Sequence, residues 1–406
     1  MNRSRFVPLF LLAASLAFPR DGIGDYWENL LSRMVSVNTG TGNAAGIAEC
    51  MKIVIPEFGR LGYVHEARPG KNGRTVHVFS AAGASPRVLF LGHVDTVFDK
   101  TNPFAFDVSP GRYTGPGVID MKGGIVMMLN VLSETKDENT RRNVRIVITE
   151  EEETGSTNSV EALRSTLDSI AHVLVFEPGL PNGNYVTAHA GVKWVKLSVT
   201  GKGAHAGLEH DLGVNAIREL CEKAARISAL TDYSRGLTVN VGTISGGTKA
   251  NVVPDAAEAM IDIRYRDPDD LERLLADIDA IAKATYAPES RDGAASAATL
   301  TGVAWLPAMP AKDSTELDKD LSALAGKMGF RFAGEAVGYG SDGNHLSGLA
   351  VAIIDGIGPC GGGMHTTGEF MDIASYRDRL ALNIAFLSLV SAKDGDAKGV
   401  KQGGAP

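Results

Sequence analysis

Apolar runs with the length of a β-strand alternate with helical segments through the first half of the chain. The apolar runs lie at residues 87–98, 144–150 and 173–176, and helical spacing occurs at 121–135 and 160–170. Strands that are apolar throughout are buried on both faces, and their alternation with helices favours a mainly parallel sheet with helices on both faces. The sequence therefore predicts an α/β domain whose binding groups lie beyond the carboxyl ends of the strands.

A different pattern occupies residues 191–303. Strand-length stretches here alternate apolar and polar positions, and two helical segments lie among them; the stretches are 194–200, 237–243 and 260–265, and the helices are 215–230 and 267–286. Such alternation is typical of a sheet with one open face. It predicts a smaller α+β (ferredoxin-like) domain.

The first pattern returns after an Ala/Ser/Gly-rich stretch at 292–302, which we interpret as a linker. Helical and strand patterns follow at 315–329, 351–355 and 373–392. The small domain is therefore an insertion. The expected organisation is a discontinuous first domain (23–190 and 304–393), an inserted domain (191–303) and a flexible tail (394–406).

The N-terminus resembles a secretory signal. Arg3 and Arg5 precede an apolar run from Phe6 to Phe18. The run is shorter than the roughly 20 residues that span a bilayer, so no stable membrane span is expected. Residues 1–22 are thus predicted to be a signal peptide or N-terminal extension, and the protein to be periplasmic or secreted. If the segment is instead a first helix of the folded domain, the protein is cytoplasmic.

Composition excludes several classes of function. The chain has 406 residues, of which 44% are hydrophobic and 22% charged, as in a soluble globular protein of two domains. A net charge of −8 and the absence of a basic stripe argue against a nucleic-acid partner. Cys50, Cys221 and Cys360 are far apart and have no Cys-x-x-Cys spacing, so neither a disulfide framework nor thiolate ligands are expected.

Histidines and carboxylates occur where five apolar runs or Gly-rich turns end. They are His93 with Asp95, Asp120, the run Glu150–Glu153, Glu177 and His365. Taken singly, each has a structural alternative: a buried histidine, a helix cap or a solvated charged loop. Together they favour a metal site, because nitrogen and oxygen ligands without thiolate favour zinc, with cobalt or manganese as substitutes.

These segments resemble the co-catalytic zinc exopeptidases and deacylases. The motifs GHVDTVF, GPGVIDMKGG, EEEETGS, FEPG, GKGAHAG and GGGMHTTGE occur in order, and the resemblance extends from about Tyr26 to Ala392. The similarity is greatest to glutamate carboxypeptidases of the carboxypeptidase G type. It implies hydrolysis of the amide bond to a C-terminal glutamate in folate-like, N-acyl or peptidyl substrates with a free carboxylate, by a homodimer. The discontinuous domain (23–190 and 304–393) would then be the zinc catalytic domain, and the inserted domain (191–303) a lid or dimerisation domain.

The resemblance also assigns residues. One zinc would be held by His93 and Glu177, the second by Glu153 and His365, and Asp120 would bridge them. Glu152 matches the general base, and Asp95 the acid that supports the first histidine ligand. The remaining matches lie further along the chain: His205, a lid histidine often supplied by the partner subunit; Asn251 and Arg264, which hold the substrate carboxylate; and Ser341 with Asp342, a binding turn.

Two positions depart from the family pattern. Met121 stands where a second acid often follows the bridging aspartate, and Leu306 stands where carboxypeptidase G-like chains have an arginine before Pro307. The second departure leaves open an N-acyl amino acid deacylase or dipeptidase of the same family. A non-catalytic binding protein on the same fold is disfavoured, because none of the positions implied for catalysis or metal binding in the catalytic domain is lost.

Overall fold

The computed structural model describes residues 22–98 and 103–402. The predicted signal segment therefore lies outside the described residues, except for Gly22. Nine helices occur in the described part of the chain: α1 Asp25–Val35, α2 Ala44–Arg60, α3 Lys122–Glu134, α4 Glu138–Arg142, α5 Val160–Arg164, α6 Ala216–Ser228, α7 Pro268–Lys283, α8 Thr315–Lys327 and α9 Ile373–Gln402.

The strands in the same residues are β1 Tyr63–Pro69, β2 Thr75–Ala81, β3 Val88–His93, β4 Asp107–Ser109, β5 Arg112–Thr114, β6 Val144–Thr149, β7 His172–Val175, β8 Tyr185–His189, β9 Gly191–Thr200, β10 Ala204–His205, β11 Thr238–Gly246, β12 Val252–Val253, β13 Ala256–Tyr265, β14 Ala297–Leu306, β15 Gly334–Val337, β16 Ala352–Ile354, β17 Gly361–Gly362 and β18 Phe370–Asp372.

The chain divides into two compact units. The first contains the described residues up to Thr187, together with 311–336 and the residues from Ser341 onward. The second contains 188–310 and 337–340. The inserted unit thus begins at Ala188 rather than at 191 and ends at Pro310 rather than at 303, and it includes a short later segment.

The first unit is built on a six-stranded sheet with the order β1-β2-β6-β3-β7-β16. Strands β6, β3, β7 and β16 are parallel, whereas β2 and β1 continue the sheet in antiparallel register. The sheet is therefore mixed but mainly parallel, as the sequence predicted, because four of its six strands are parallel. Helix α3 is buried from Lys122 to Leu132, which explains why its sequence is apolar on all sides.

The second unit has the order β-α-β-β-α-β. Strands β11, β13, β9 and β14 form one antiparallel sheet in that order, which is the ferredoxin-like arrangement. Alternate residues such as Leu197 and Ile261 are buried in one core with Leu220 of α6 and Ile278 of α7. The opposite face of the sheet is open, and Trp194 on it is 43% exposed.

One detail of the sequence prediction was wrong. The stretch 292–302 is not simply a linker, because β14 begins at Ala297 and pairs with β9. This strand lies at the edge of the sheet and therefore needs few large apolar side chains. Its small residues resemble those of a linker, so the sequence pattern did not indicate a strand. The backbone of α9 continues to Gln402, so the predicted tail at 394–406 begins within a helix. Among the described residues, no helix has the length and apolarity needed to cross a membrane.

Candidate metal site

Three neighbouring strand ends bring the first group of polar side chains together. In the order β6-β3-β7, all parallel, His93 is the last residue of β3 and lies in register with Thr149 of β6. The acidic run follows β6, and Glu177 follows β7 after one residue. Parallel strands end at one edge of the sheet, so residues far apart in sequence meet there.

Asp120 reaches this edge just before α3. The helix approaches β7 closely, because a side chain on Gly124 would place its Cβ 2.2 Å from the carbonyl oxygen of Phe176. The Asp120–Met121 peptide bond is cis. His365 enters from the turn between β17 and β18, and its φ of 63° lies in the left-handed region that few non-glycine residues adopt.

Two groups of potential metal ligands share Asp120. The Nε2 atom of His93 lies 3.3 Å from Asp120 Oδ1 and 3.4 Å from Glu177 Oε1. The Nε2 atom of His365 lies 3.2 Å from Asp120 Oδ2 and 3.3 Å from Glu153 Oε2. In each group the ligand atoms lie within 4.8 Å of one another. The two oxygens of Asp120 thus face different histidines, as a bridging carboxylate requires.

The donor set fits two cations. Nε2 of His93 is buried and, among the described residues, makes no hydrogen bond, although two carboxylate oxygens surround it. A buried polar atom without a hydrogen bond is rare unless an ion or water completes its contacts. Imidazole nitrogens with carboxylate oxygens are the ligands of catalytic zinc sites.

The carboxyl and imidazole groups of the site have pKa values that differ from their ordinary values. Burial raises the pKa of Glu177 to about 8, despite the nearby His93. Burial also raises the pKa of Glu152 well above its ordinary value, and the carboxylates of Glu177 and Asp342 add to the effect. Hydrogen bonds with Asp120 and Glu153 raise the pKa of His365 to about 10. A bound cation would reverse each of these shifts.

Asp95 organises the loop that carries the acidic run. Its backbone oxygen lies 3.0 Å from Nδ1 of His93, which leaves Nε2 directed to the site. Its carboxylate accepts hydrogen bonds from the backbone N–H groups of Glu152 at 3.0 Å and Glu153 at 3.3 Å. Thr41 donates its hydroxyl to the same carboxylate at 2.6 Å, a contact that the sequence did not predict.

The four consecutive glutamates have four different environments. Glu150 contacts His77 Nε2 at 2.9 Å. Glu151 is 2% exposed and accepts hydrogen bonds from Asn158 and Ser159. Both are therefore supporting residues rather than solvated charges. Glu153 faces His365, and Glu152 lies with Oε2 3.9 Å from His93 Nε2, outside both ligand groups.

Ser341 and Asp342 support the site from a short turn. The Ser341 side chain caps the helical turn Asp342–Leu346 and donates a hydrogen bond to Asp355 at 2.5 Å. Asp342 accepts the hydroxyl of Thr149, at the end of β6, at 2.5 Å. Both are buried, so these contacts indicate a structural role for the turn that the sequence assigned to binding.

The other predicted substrate-binding residues lie in the second unit. His205 is exposed, and its Nδ1 accepts hydrogen bonds from the backbone of Gly207 at 3.2 Å and Leu208 at 3.1 Å. Its neutral form therefore carries the proton on Nε2. The backbone oxygen of Asn251 accepts a hydrogen bond from Ala206 at 3.1 Å, which links the two loops.

Arg264 is already engaged in a bidentate ion pair. Its Nε and Nη2 donate to the two carboxylate oxygens of Asp262 at 2.8 and 2.9 Å. Trp194 donates to the same carboxylate at 2.5 Å on the open face of the sheet. The Arg264 guanidinium group, which the sequence assigned to a substrate carboxylate, is thus paired with Asp262.

Sequence reasoning missed Glu369, which ends the GGGMHTTGE motif. Its buried carboxylate accepts hydrogen bonds from backbone N–H groups of the segment that carries Asp120. The only sequence signal was its place four residues after His365, and an acid in a Gly-rich turn is ordinarily solvent-exposed.

The chain is similar in sequence and in fold to known peptidases. The profile of the peptidase dimerisation domain matches residues 187–290, and that of peptidase family M28 matches residues 75–217. Carboxypeptidase G2 of Pseudomonas sp. (strain RS-16) is 26% identical over 363 residues, 86% of each chain. A succinyl-diaminopimelate desuccinylase of Parvibaculum lavamentivorans is 28% identical over 280 residues, 63% of this chain and 68% of that one.

A tripeptidase structure from Staphylococcus aureus superposes with a TM-score of 0.74 at 22% identity, covering 90% of this chain and 98% of that one. This similarity concerns the fold. The fold is that of an M20 peptidase, and both the matching dimerisation domain and the similarity to a carboxypeptidase over 86% of each chain agree with it.

Proposed function

We propose that this protein is a di-zinc carboxypeptidase that hydrolyses the amide bond to a C-terminal glutamate. The observation that carries the proposal is the position of Asp120, whose two oxygens lie 3.3 Å from His93 and 3.2 Å from His365. Glu177 would complete one zinc site and Glu153 the other. Similarity to carboxypeptidase G2 over 86% of each chain supports the choice of reaction.

Zinc ions bound by these residues would supply Lewis-acid activation of the attacking water and of the scissile carbonyl. Glu152 would accept the proton from that water and deliver it to the leaving amine. Its carboxylate suits this role because it lies beside His93 and outside both ligand groups. Asp95 would hold both the His93 ring and the Glu152 backbone in position.

His205 would donate its Nε2–H to the developing oxyanion, since its Nδ1 accepts backbone hydrogen bonds. We propose that it acts from the partner subunit of a homodimer, in keeping with the match to a peptidase dimerisation domain. Light scattering should give twice the chain mass at micromolar concentration. A fully active monomer would contradict this arrangement.

A second candidate is an N-acyl amino acid deacylase or dipeptidase. It is favoured by the pairing of Arg264 with Asp262, which leaves fewer guanidinium N–H groups for a substrate carboxylate. Leu306 also stands where carboxypeptidase G-like chains have a basic residue. Asn251 would be a further contact to the substrate carboxylate in either case.

A substrate panel separates the two candidates. The zinc-loaded protein would be incubated with folate, N-acyl-glutamate, N-acyl-aspartate, apolar dipeptides and acetylated amino acids, and released amines would be measured. The proposal expects the highest kcat/KM for C-terminal glutamate and poor turnover of its C-terminal amide. Faster turnover of acetylated apolar amino acids would favour the deacylase. The Glu152→Gln variant, purified in parallel, controls for contaminating peptidases.

Export is proposed from Arg3, Arg5 and the apolar run that follows them. Mass spectrometry of the protein from cell fractions would test it. A shortened N-terminus in the extracytoplasmic fraction is expected. An intact N-terminus, confined to the cytoplasm, would contradict it.

A further inference from the structure

Glu369 forms hydrogen bonds with the backbone of residues 117–120, the segment that carries the shared potential ligand Asp120. The residue is 1% exposed. Its Oε2 accepts a hydrogen bond from Gly117 N at 3.0 Å, and its Oε1 accepts from Ile119 N at 3.0 Å and from Asp120 N at 3.2 Å. One carboxylate therefore fixes three backbone groups within four residues, directly behind the ligand.

The same segment is held from its carbonyl side by a buried ammonium group. Nζ of Lys122 donates to the carbonyl oxygens of Val37 at 3.0 Å and Pro116 at 3.5 Å. Lys122 is 1% exposed and interacts electrostatically with Glu369. Carboxylate and ammonium thus hold opposite backbone groups of one short loop, which restricts its movement more than either could alone.

Glu369 also closes the turn that carries His365. Its backbone N–H donates to the carbonyl of Thr366 at 3.2 Å, and Thr366 N donates to Gly363 O at 3.1 Å. A Cβ on Gly363 would lie 2.4 Å from the carbonyl oxygen of Gly368, so the turn is tightly closed. His365 therefore lies in a turn whose last residue is anchored to the Asp120 segment.

We propose that Glu369 is a positioning residue that sets the separation of Asp120 and His365 and thereby the affinity of the second cation site. This inference rests on the proposed two-metal function. The first site depends less on Glu369, because His93 and Glu177 are fixed by the ends of β3 and β7. Removal of the carboxylate should therefore affect the two sites unequally.

The Glu369→Gln variant keeps the size of the side chain. A glutamine has one acceptor oxygen, and its amide N–H group would face at least one of the backbone N–H donors. The Glu369→Asp variant keeps the charge but is shorter by one methylene group, so it cannot reach all three donors. The aspartate variant also serves if the glutamine variant does not fold.

The experiment measures the two zinc dissociation constants of metal-depleted protein by competition with a chromophoric chelator. For Glu369→Gln we expect the dissociation constant of the second zinc ion to rise about 10–100-fold, as for other residues that orient ligands. The dissociation constant of the first zinc ion should be nearly unchanged. Loading with cobalt should change the visible spectrum of the second equivalent only. We expect kcat to fall while KM stays nearly constant. The second zinc dissociation constant of Glu369→Asp should lie between those of Glu369→Gln and the unmodified protein.

Glu219→Gln is the matched control, because Glu219 is another buried carboxylate that accepts backbone hydrogen bonds, from Tyr286 and Ala287 in the second unit. It should lower the melting temperature without changing either zinc constant. Unchanged constants in both Glu369 variants, or equal weakening of both sites, would overturn the inference. If the unmodified protein binds fewer than two zinc ions, the proposed function itself fails.

Discussion

Replacement of Glu152 by glutamine tests the proposed division of roles within the acidic run. Glu152 Oε2 lies 3.9 Å from Nε2 of His93, and its backbone N–H is held by Asp95 at 3.0 Å. Glutamine preserves the size of the side chain and these backbone contacts. It cannot accept a proton from water, so the variant should keep its fold and its metal while losing catalysis.

The expected loss in kcat is about 10²–10⁴-fold, the usual contribution of general acid–base catalysis. At 1.36 kcal/mol per factor of ten, this corresponds to about 2.7–5.4 kcal/mol of activation free energy. KM should change little, because Glu152 is not assigned to the substrate carboxylate. The assay is steady-state hydrolysis of the best substrate, with zinc measured by elemental analysis on the same samples.

The same variant has a predicted effect on the stability of metal-depleted protein. Burial, with the neighbouring carboxylates, raises the pKa of Glu152 above its unfolded value. A raised carboxyl pKa means that stability is present below the unfolded pKa and is lost as the pH rises toward the folded pKa. Metal-depleted Glu152→Gln should therefore melt at a higher temperature than unmodified protein at pH 8, and the difference should shrink at pH 5.

Glu151→Gln is the comparison variant. It removes a buried acceptor of hydrogen bonds from Asn158 and Ser159, so it should lower the melting temperature. Near-complete activity in Glu152→Gln, together with an inactive Glu151→Gln that retains both zinc ions, would refute the reasoning. The general base would then be Glu151.

Three further predictions concern single residues. Glu153→Gln should bind one zinc ion fewer by elemental analysis, because its carboxylate belongs only to the second ligand group; two retained ions would contradict the assignment. Arg264→Lys should raise KM or reduce kcat/KM about tenfold or more, since a lysine cannot make paired hydrogen bonds; unchanged kinetics would remove Arg264 from substrate binding. In folded protein a thiol reagent should modify Cys221 first, because Cys50 and Cys360 are buried and burial raises the pKa of Cys50 to about 11. Mass spectrometry would measure the labelling, and rapid modification of all three cysteines would contradict the burial of Cys50 and Cys360.

The parallel strands β3, β6 and β7 of the central sheet could be predicted because they are buried, and a buried strand has an apolar sequence. Every residue of β3 is buried, and so is every residue of β7, so their apolar runs are continuous. Strand β1 has a mixed pattern with exposed positions at an edge, and β14 is rich in small residues. Edge strands bury less side-chain area, so their sequences carry a weaker signal.

The residues of the two potential ligand groups stand out in the sequence for a related reason. Each one lies at the end of a buried strand, within a few residues after it, or in a glycine-rich turn, so a local motif marks it. Glu369 acts through hydrogen bonds to the backbone of a distant segment; Glu369 and Gly117 are 252 residues apart. Any residue except proline can supply a backbone N–H, so the partner segments have no distinctive sequence. Such supports become visible only when the chain is folded.

The charge balance of the site connects its fold to its function. Asp120, Glu152, Glu153 and Glu177 lie together around two imidazoles, and burial raises the pKa of the three glutamates. Protonation relieves the repulsion in metal-free protein, but a protonated Glu152 cannot act as a base. Two divalent cations would balance four carboxylates and leave Glu152 ionised at neutral pH. The same arrangement that destabilises the metal-free site would therefore create both the affinity for metal and the active form of the base.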